Sequence, residues 1–138
     1  MYAPHTVTIY NLSENQVTFE KEYNITVLHG VLLDAVQAAN INKSGLENAD
    51  SIMLYIPFNV SAGGKTYLTE KEYEQLSDKS LNWTMRPNKD FFVKGEVVIE
   101  NADYQSLNTR FDNVYRITTV DTKDFGTADM QHWEVGGR

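Results

Sequence analysis

A regular alternation of apolar and polar side chains between residues 17 and 28 is the feature that most restricts how this chain can fold. One parity of the stretch holds apolar side chains: Val17, Phe19, Tyr23, Ile25 and Val27. The other parity holds polar side chains: Thr18, Glu20, Glu22, Asn24 and Thr26. A period of two predicts a β-strand with one buried face. Lys21 interrupts the apolar parity, so we expect a bend or bulge near it.

The same criterion predicts strands at residues 6–12, 51–58, 91–100, 114–120 and 132–135. In the stretch 51–58 the side chains expected to face inward are Ile52, Leu54, Ile56 and Phe58. In the stretch 91–100 the apolar face holds Phe91, Val93, Val97 and Ile99. In the last strand we expect Trp133 and Val135 to be buried, and His132 and Glu134 to be exposed or at a subunit contact. Because proline has no N–H to donate, Pro57 predicts that its strand ends at a sheet edge.

The connections are less regular than the strands. Residues 11–16 predict a hairpin turn, whereas residues 31–39 fit a buried strand and a helical turn equally well, and both interpretations stay open. The segment Gln37–Asp50 has no apolar periodicity. Ordering a chain costs roughly 1–2 kcal/mol per residue, so we expect this segment to be disordered in the free protein and ordered only in an assembly. Amide exchange on dilute protein should show no protection there.

Two short helices are predicted from capping signals. Thr69 precedes the stretch 69–76 with Glu72 three residues later, a capping box that satisfies exposed backbone N–H groups. Asp103 is positioned to cap a second helix that extends through Leu107.

These elements together predict one mainly β domain over residues 1–138, a small antiparallel β-barrel or sandwich with one or two short helices and long loops. Closing a sheet into a barrel removes its exposed edges. The loops at 36–50 and 59–68 are longer than a bare barrel requires, and loops of this kind are usually functional or disordered.

The charge balance argues against a protein that binds nucleic acid through phosphates. Nineteen Asp and Glu against twelve Lys and Arg give a formal net charge of −7, and no cluster of basic residues is present. There is no cysteine, which excludes disulfides and thiolate chemistry. The N-terminus lacks the pattern of a signal peptide, and no apolar run approaches the roughly 18 residues of a membrane span. We therefore expect a soluble protein made in the cytoplasm.

No motif supports a catalytic, cofactor or metal site. Gly64-Lys65-Thr66 matches the end of a phosphate-binding loop, but the required first glycine is replaced by Asn59 and a strand-like segment follows. A calcium loop starting at Asp121 fails at its third, fifth and twelfth positions. The three histidines are scattered and have no nucleophile nearby in sequence. We expect no enzyme activity, no cofactor and no metal, and interpret His132 and Glu134 as an exposed polar face.

Four stretches carry a resemblance to a known family: GLENADSIMLYIPF, GKTYLTEKEYEQL, WTMRPNKDFFVKGEV and DNVYRITTVDTKDFGTADMQHWEVGGR. From Leu46 to Arg138, and more loosely to the N-terminus, the chain resembles small structural neck proteins of tailed phages and prophages of Gram-positive bacteria. The most characteristic matches are Phe92-Val93-Lys94-Gly95-Glu96 and the final stretch 131–138.

The resemblance implies a head–tail connector, a small β-barrel that forms a six- or twelve-fold ring in the neck of the virion. Such a ring closes the DNA-filled head or acts as an adaptor. Its partners would be other copies of the chain, the portal or adaptor ring, and a tail-terminator or tail-completion protein. DNA would pass the lumen without specific binding, and no membrane is involved. The alternative is a tail-side or capsid-accessory β-domain that binds a protein or a glycan.

The candidate interface residues are His132, Glu134, Arg138, Lys43, Glu47 and Asp50. We expect the final strand, with flexible Gly136-Gly137-Arg138, to pair with an exposed sheet edge of a neighbour. Lys43 and Lys65 are the basic side chains expected to approach phosphate.

Overall fold

The computed structural model of the chain describes residues 2–14, 17–36 and 51–138. In chain order its elements are β1 (His5–Glu14), β2 (Lys21–Val36), β3 (Ser51–Pro57), β4 (Thr66–Tyr67), α1 (Glu70–Glu74), β5 (Asn82–Trp83), β6 (Phe91–Lys94), α2 (Tyr104–Arg110), β7 (Val114–Lys123) and β8 (His132–Gly137). A 3-10 turn at Ala128–Met130 precedes β8. The expectations for residues 37–50, including Lys43, Glu47 and Asp50, lie outside the described residues.

Six strands form one closed antiparallel barrel in the order β1-β2-β3-β8-β7-β6, and β6 pairs back onto β1. The prediction of a mainly β, barrel-like fold is therefore confirmed. Pro57 pairs with His132 of β8, whereas the pairing of β3 with β2 ends at Tyr55, so the end of β3 lies at a local sheet edge as predicted. Proline is accommodated there because it is the last residue of its strand.

The β1–β2 hairpin is longer than its sequence pattern predicted. β1 continues to Glu14, so the turn predicted at residues 11–16 is misplaced. β2 begins at Lys21, which leaves Val17 and Phe19 outside the strand, 83% and 72% exposed, rather than on its buried face. Phe19 has a φ of 61°, in the left-handed region that a strand does not use.

The irregularity of the hairpin lies at Gly30 rather than near Lys21. Lys21 pairs in register with Glu14, whereas the register shifts where His5 pairs with Val31 and Thr6 pairs with His29. Gly30 is the extra residue of this bulge, and its φ of 92° favours glycine. β2 then continues to Val36. The stretch 31–39, for which a strand and a helical turn were both open, is therefore a strand as far as Val36.

Two apolar clusters pack on opposite sides of the barrel wall. The barrel interior is filled by residues that include Val7, Ile9, Leu28, Leu54, Ile56 and Val135. A second cluster, containing Tyr10, Phe91, Val93, Leu107 and Val114, lies outside the wall, where α2 covers it.

β1 and β6 thus bury both faces. The prediction of a single buried face for residues 91–100 is wrong, since Phe92 is also fully buried. In β2, Thr26 is buried as well, although it belongs to the polar parity.

The strand predicted at residues 91–100 ends at Lys94, where Gly95 adopts a φ of 92°. Beyond it, side chains of β1 replace a backbone ladder. The Thr8 hydroxyl donates to Gly95 O at 2.7 Å and accepts from Val97 N at 2.9 Å. The Tyr10 hydroxyl donates to Val97 O at 2.6 Å and accepts from Ile99 N at 3.1 Å. Two hydroxyl groups therefore attach the segment 95–99 to the outer surface of the barrel.

Both predicted helices are present. α1 carries the complete Thr69–Glu72 capping box and buries Tyr73. Asp103 caps α2 by accepting a hydrogen bond from Ser106 N at 2.8 Å, and α2 extends to Arg110 rather than ending at Leu107. β7 and β8 also extend beyond the predicted residues, by three and two residues respectively.

Candidate functional site

The candidate interface pair of β8 lies on the outer face of the barrel. His132 Nε2 lies 3.0 Å from Glu134 Oε2, and His132 Nδ1 lies 2.8 Å from Met130 O. Because both neighbours are oxygen acceptors, the ring makes both hydrogen bonds only when both nitrogens carry a proton. The two side chains are 17% and 28% exposed. They alternate with Trp133 and Val135, which are buried as predicted.

The two terminal glycines are strand residues and not a flexible tail. Gly136 pairs with Met53 on one side and Thr119 on the other, and Gly137 lies between Ile52 and Ile117. The prediction that this segment pairs with a sheet edge of a neighbour is therefore wrong, since both of its edges are already paired inside the barrel.

A side chain at either position would crowd the side chains of neighbouring residues. A Cβ atom on Gly136 would lie 2.5 Å from Thr119 Oγ1. A Cβ atom on Gly137 would lie 3.0 Å from the side chains of Ile52 and Phe92. Arg138 continues the pairing, since its backbone N–H and C=O each bond with Arg116 at 3.0 Å. The side chain of Arg138 remains exposed.

An aromatic cluster around Trp133 closes one end of the barrel. Its ring centroid lies 4.4 Å from that of Tyr67, 4.5 Å from Phe58 and 5.8 Å from Trp83. Phe58, Tyr67 and Trp83 belong to the long excursion between β3 and β6, residues 58–90. The excursion therefore folds onto the barrel and fills its end with side chains.

A buried polar network attaches the excursion to β1, and no sequence pattern predicted it. Arg86 donates from Nε and Nη2 to the two carboxylate oxygens of Asp90, at 2.9 and 2.8 Å, and both residues are nearly inaccessible. Asp90 also accepts from Leu12 N and Asn11 Nδ2, each at 3.0 Å. The four-residue spacing of Arg86 and Asp90 was visible in the sequence, but no pattern placed it beside the end of β1.

Lys65 points into the protein instead of toward a phosphate. Its ammonium donates to Ile25 O at 2.6 Å, Asn24 Oδ1 at 3.0 Å and Thr26 Oγ1 at 3.1 Å. Burial lowers the pKa of Lys65 below its usual value. These bonds fix the excursion to β2 and satisfy the buried hydroxyl group of Thr26. The expectation that Lys65 approaches DNA is therefore not supported by its position.

Exposed apolar side chains project from two connections at one end of the barrel. β1 and β7 both run antiparallel to β6, so the connections that follow them lie at the same end. The first connection carries Phe19, and the second, residues 124–131, carries Phe125 and Met130, which are 71% and 62% exposed. Large exposed apolar side chains at one end of a molecule are typical of a protein contact. We call these three residues the apolar end.

A polar cleft of about 730 Å³ separates the β1–β2 hairpin from the segment 74–80. Its charged lining residues are Glu14, Glu22, Glu74, Asp78 and Lys79. A smaller hollow of about 390 Å³ lies beside β2, lined by Glu22, Tyr23, Asn24, Ile25, Val98, Glu100 and Asn101. Over the described ranges, no three His, Asp or Glu side chains come together as a metal site. Neither described helix has the length and apolar character needed to cross a lipid bilayer.

Comparison with known proteins gives a family without an assigned activity. No curated protein matches the chain, and no solved structure matches it. The model of one family of unknown function, DUF6751, matches residues 2–138, which is nearly the whole sequence. The chain therefore belongs to the family of unknown function DUF6751.

Proposed function

We propose that this protein is a structural subunit of the neck of a tailed phage, forming a ring that joins the DNA-filled head to the tail. The observation that carries the proposal is the apolar end, Phe19, Phe125 and Met130, displayed on connections of a closed barrel. A ring subunit needs a rigid body whose strands are internally paired, together with projecting side chains that contact neighbours. The role requires no catalysis, cofactor or metal.

The sequence segments that carry the family resemblance support the same proposal. The stretch 92–96 covers the end of β6 and the turn at Gly95, and the stretch 131–138 contains β8. Both strands are members of the closed barrel. The residues that mark the resemblance are therefore residues that hold a barrel together, as expected for proteins that share an architecture and not a reaction. The net charge of −7 agrees with a passage that repels DNA.

The proposal is tested with particles of the phage or prophage that encodes the chain. The double variant Phe125→Ser and Met130→Ser should fold normally but fail to enter particles, because it loses apolar contact area at the apolar end. Tyr2→Ser is a matched control, since Tyr2 is 78% exposed but precedes β1 at the opposite end of the barrel. Normal incorporation of the double variant would contradict a ring contact at this end.

Particles that lack the protein distinguish a role in the neck from a tail-side or capsid-accessory role. Particles without it should contain heads that package DNA and then leak it, as seen by negative-stain microscopy. Intact, DNA-filled heads carrying abnormal tails would instead favour a tail-side domain, and normal particles would favour a capsid-accessory role.

A further inference from the structure

One edge of β2 has no strand partner over part of its length. β3 pairs only with residues 32–36, and the segment 21–29 pairs with β1 on its other side. In an antiparallel strand, alternate residues direct both backbone groups to the same edge. His29 bonds through both groups to Ser61, and Ile25 O accepts from Lys65, which shows that the odd-numbered residues face away from β1.

Tyr23, Ile25 and Val27 therefore present their backbone groups along this edge. Within the described ranges, the only hydrogen bond formed by these outward groups is the one from Lys65 to Ile25 O. A carbonyl oxygen has two lone pairs and can accept a second hydrogen bond. Proteins usually protect such edges with proline, a bulge or charged side chains. Here the bulge at Gly30 lies beyond the unpaired stretch, Lys21 stands at its beginning, and Lys65 covers the carbonyl group of Ile25 alone.

Open space lies on both sides of the first part of this edge. The polar cleft and the smaller hollow beside β2 share three lining residues, Glu22, Tyr23 and Asn24. Residues 22–24 therefore stand between two hollows of about 730 and 390 Å³. Side chains of an added strand point alternately to its two faces, so one hollow is available to each set.

The charges in the hollows select the chemistry of the partner. Five carboxylates line them, Glu14, Glu22, Glu74, Asp78 and Glu100, against one lysine, Lys79. Glu74 is already bound by Lys89 at 2.9 Å and by Arg86 at 3.2 Å, and Lys79 donates to Leu76 O at 2.6 Å. A second copy of this chain would bring the same acidic edge into contact with itself, which like-charge repulsion disfavours.

We propose that the edge Tyr23–Val27 of β2 is a docking site for an extended, lysine- or arginine-containing segment of another protein, which adds to the barrel wall as a further strand. Backbone hydrogen bonds hold the segment, and the acidic hollows select its basic side chains. The proposal concerns a different surface from the apolar end and does not depend on the neck role.

The test uses the full chain and three synthetic peptides of about eight residues, a usual strand length. One alternates lysine with valine and threonine, the second replaces lysine by glutamate, and the third is the lysine peptide with alternate backbone nitrogens methylated. We expect the lysine peptide to bind at least about tenfold more tightly than either control. Amide hydrogen exchange, measured by NMR, should slow at Tyr23, Ile25 and Val27, but not at Thr26 and Leu28, which already face β1.

The same edge is also tested by changing the protein instead of the peptide. Val27→Pro removes one outward N–H without touching the bonds to β1, and edge strands tolerate proline in this orientation. It should weaken the lysine peptide by about fivefold or more while leaving the thermal unfolding midpoint nearly unchanged. If this variant fails to fold, the methylated peptide still tests backbone pairing.

The proposal would be overturned if all three peptides bound equally well or if none of them bound. It would also be overturned if the exchange protection did not fall on the odd-numbered residues Tyr23, Ile25 and Val27. Protection of the same amides with rising protein concentration and no peptide would also overturn it, by assigning the edge to a second copy of the chain.

Discussion

Single residues at the end of β8 explain how so small a barrel closes. A Cβ atom on Gly136 would clash with the side chain of Thr119 in the adjacent strand, and one on Gly137 would press against Ile52 and Phe92 in the barrel interior. Gly137 allows the backbone of β8 to lie close to Ile52 and Phe92, because glycine permits the nearest approach. The final glycines are therefore part of the architecture and not a linker.

Gly137→Ala should lower the free energy of unfolding by about 1–3 kcal/mol, because the added methyl group meets Ile52 and Phe92 in a packed interior. Chemical denaturation of the purified variant measures the change. Arg138→Ala is the control, since this side chain is exposed, and it should stay within about 0.5 kcal/mol of the original protein. A neutral effect of Gly137→Ala would mean that the barrel interior is looser than described.

Trp133→Ala should cost about 3–5 kcal/mol, because it empties the aromatic cluster that includes Phe58, Tyr67 and Trp83. His132→Ala removes the contacts with Glu134 and Met130 O and should cost about 1–2 kcal/mol. Thermal and chemical unfolding of the two variants provide the comparison. Similar losses for both would show that β8 has a different register.

At the scale of elements, ion pairing fixes the excursion 58–90 to the barrel. Asp90 precedes β6, and Arg86 reaches back to the end of β1 through Leu12 O. Arg86 also bonds to Glu74 in α1 at 3.2 Å, so one guanidinium connects three parts of the fold. Lys89 lowers the pKa of Glu74 by its hydrogen bond, with burial opposing the shift and Arg86 adding to it.

Asp90→Ala should destabilise the protein by about 3–5 kcal/mol, because it leaves the buried Arg86 without its partner. The double variant Arg86→Met with Asp90→Leu should lose less stability than the sum of the losses in the single variants Arg86→Met and Asp90→Leu, since an apolar pair leaves no buried charge. Urea unfolding of all three variants completes the cycle. Strict additivity would show that the two side chains do not act as a pair.

At the scale of the whole molecule, acidic residues outnumber basic ones by nineteen to twelve, and several basic groups are engaged internally. Lys65 bonds to β2, Arg86 bonds to Asp90, and Lys79 donates to Leu76 O. Three of the twelve basic side chains are thus bound within the protein and acidic residues stay in excess, which agrees with the proposed passage for DNA.

The free protein should not retard duplex DNA in a gel at about 0.15 M salt, because binding depends on the number of phosphates neutralised. Lys65→Ala should leave this result unchanged. Tight binding that weakens steeply with added salt would contradict the proposed conduit and favour a nucleic-acid-binding role.

The sequence by itself determined the mainly β architecture, the helix caps at Thr69 and Asp103, and the burial of Trp133 and Val135. These features depend on local spacing, because a period of two and a capping residue act within a few positions. Tertiary structure alone decided that Thr26 is buried, that Thr8 and Tyr10 hold the segment 95–99, and that Gly136 and Gly137 lie inside a closed barrel. Each of these outcomes depends on residues distant in sequence that meet only when the barrel closes.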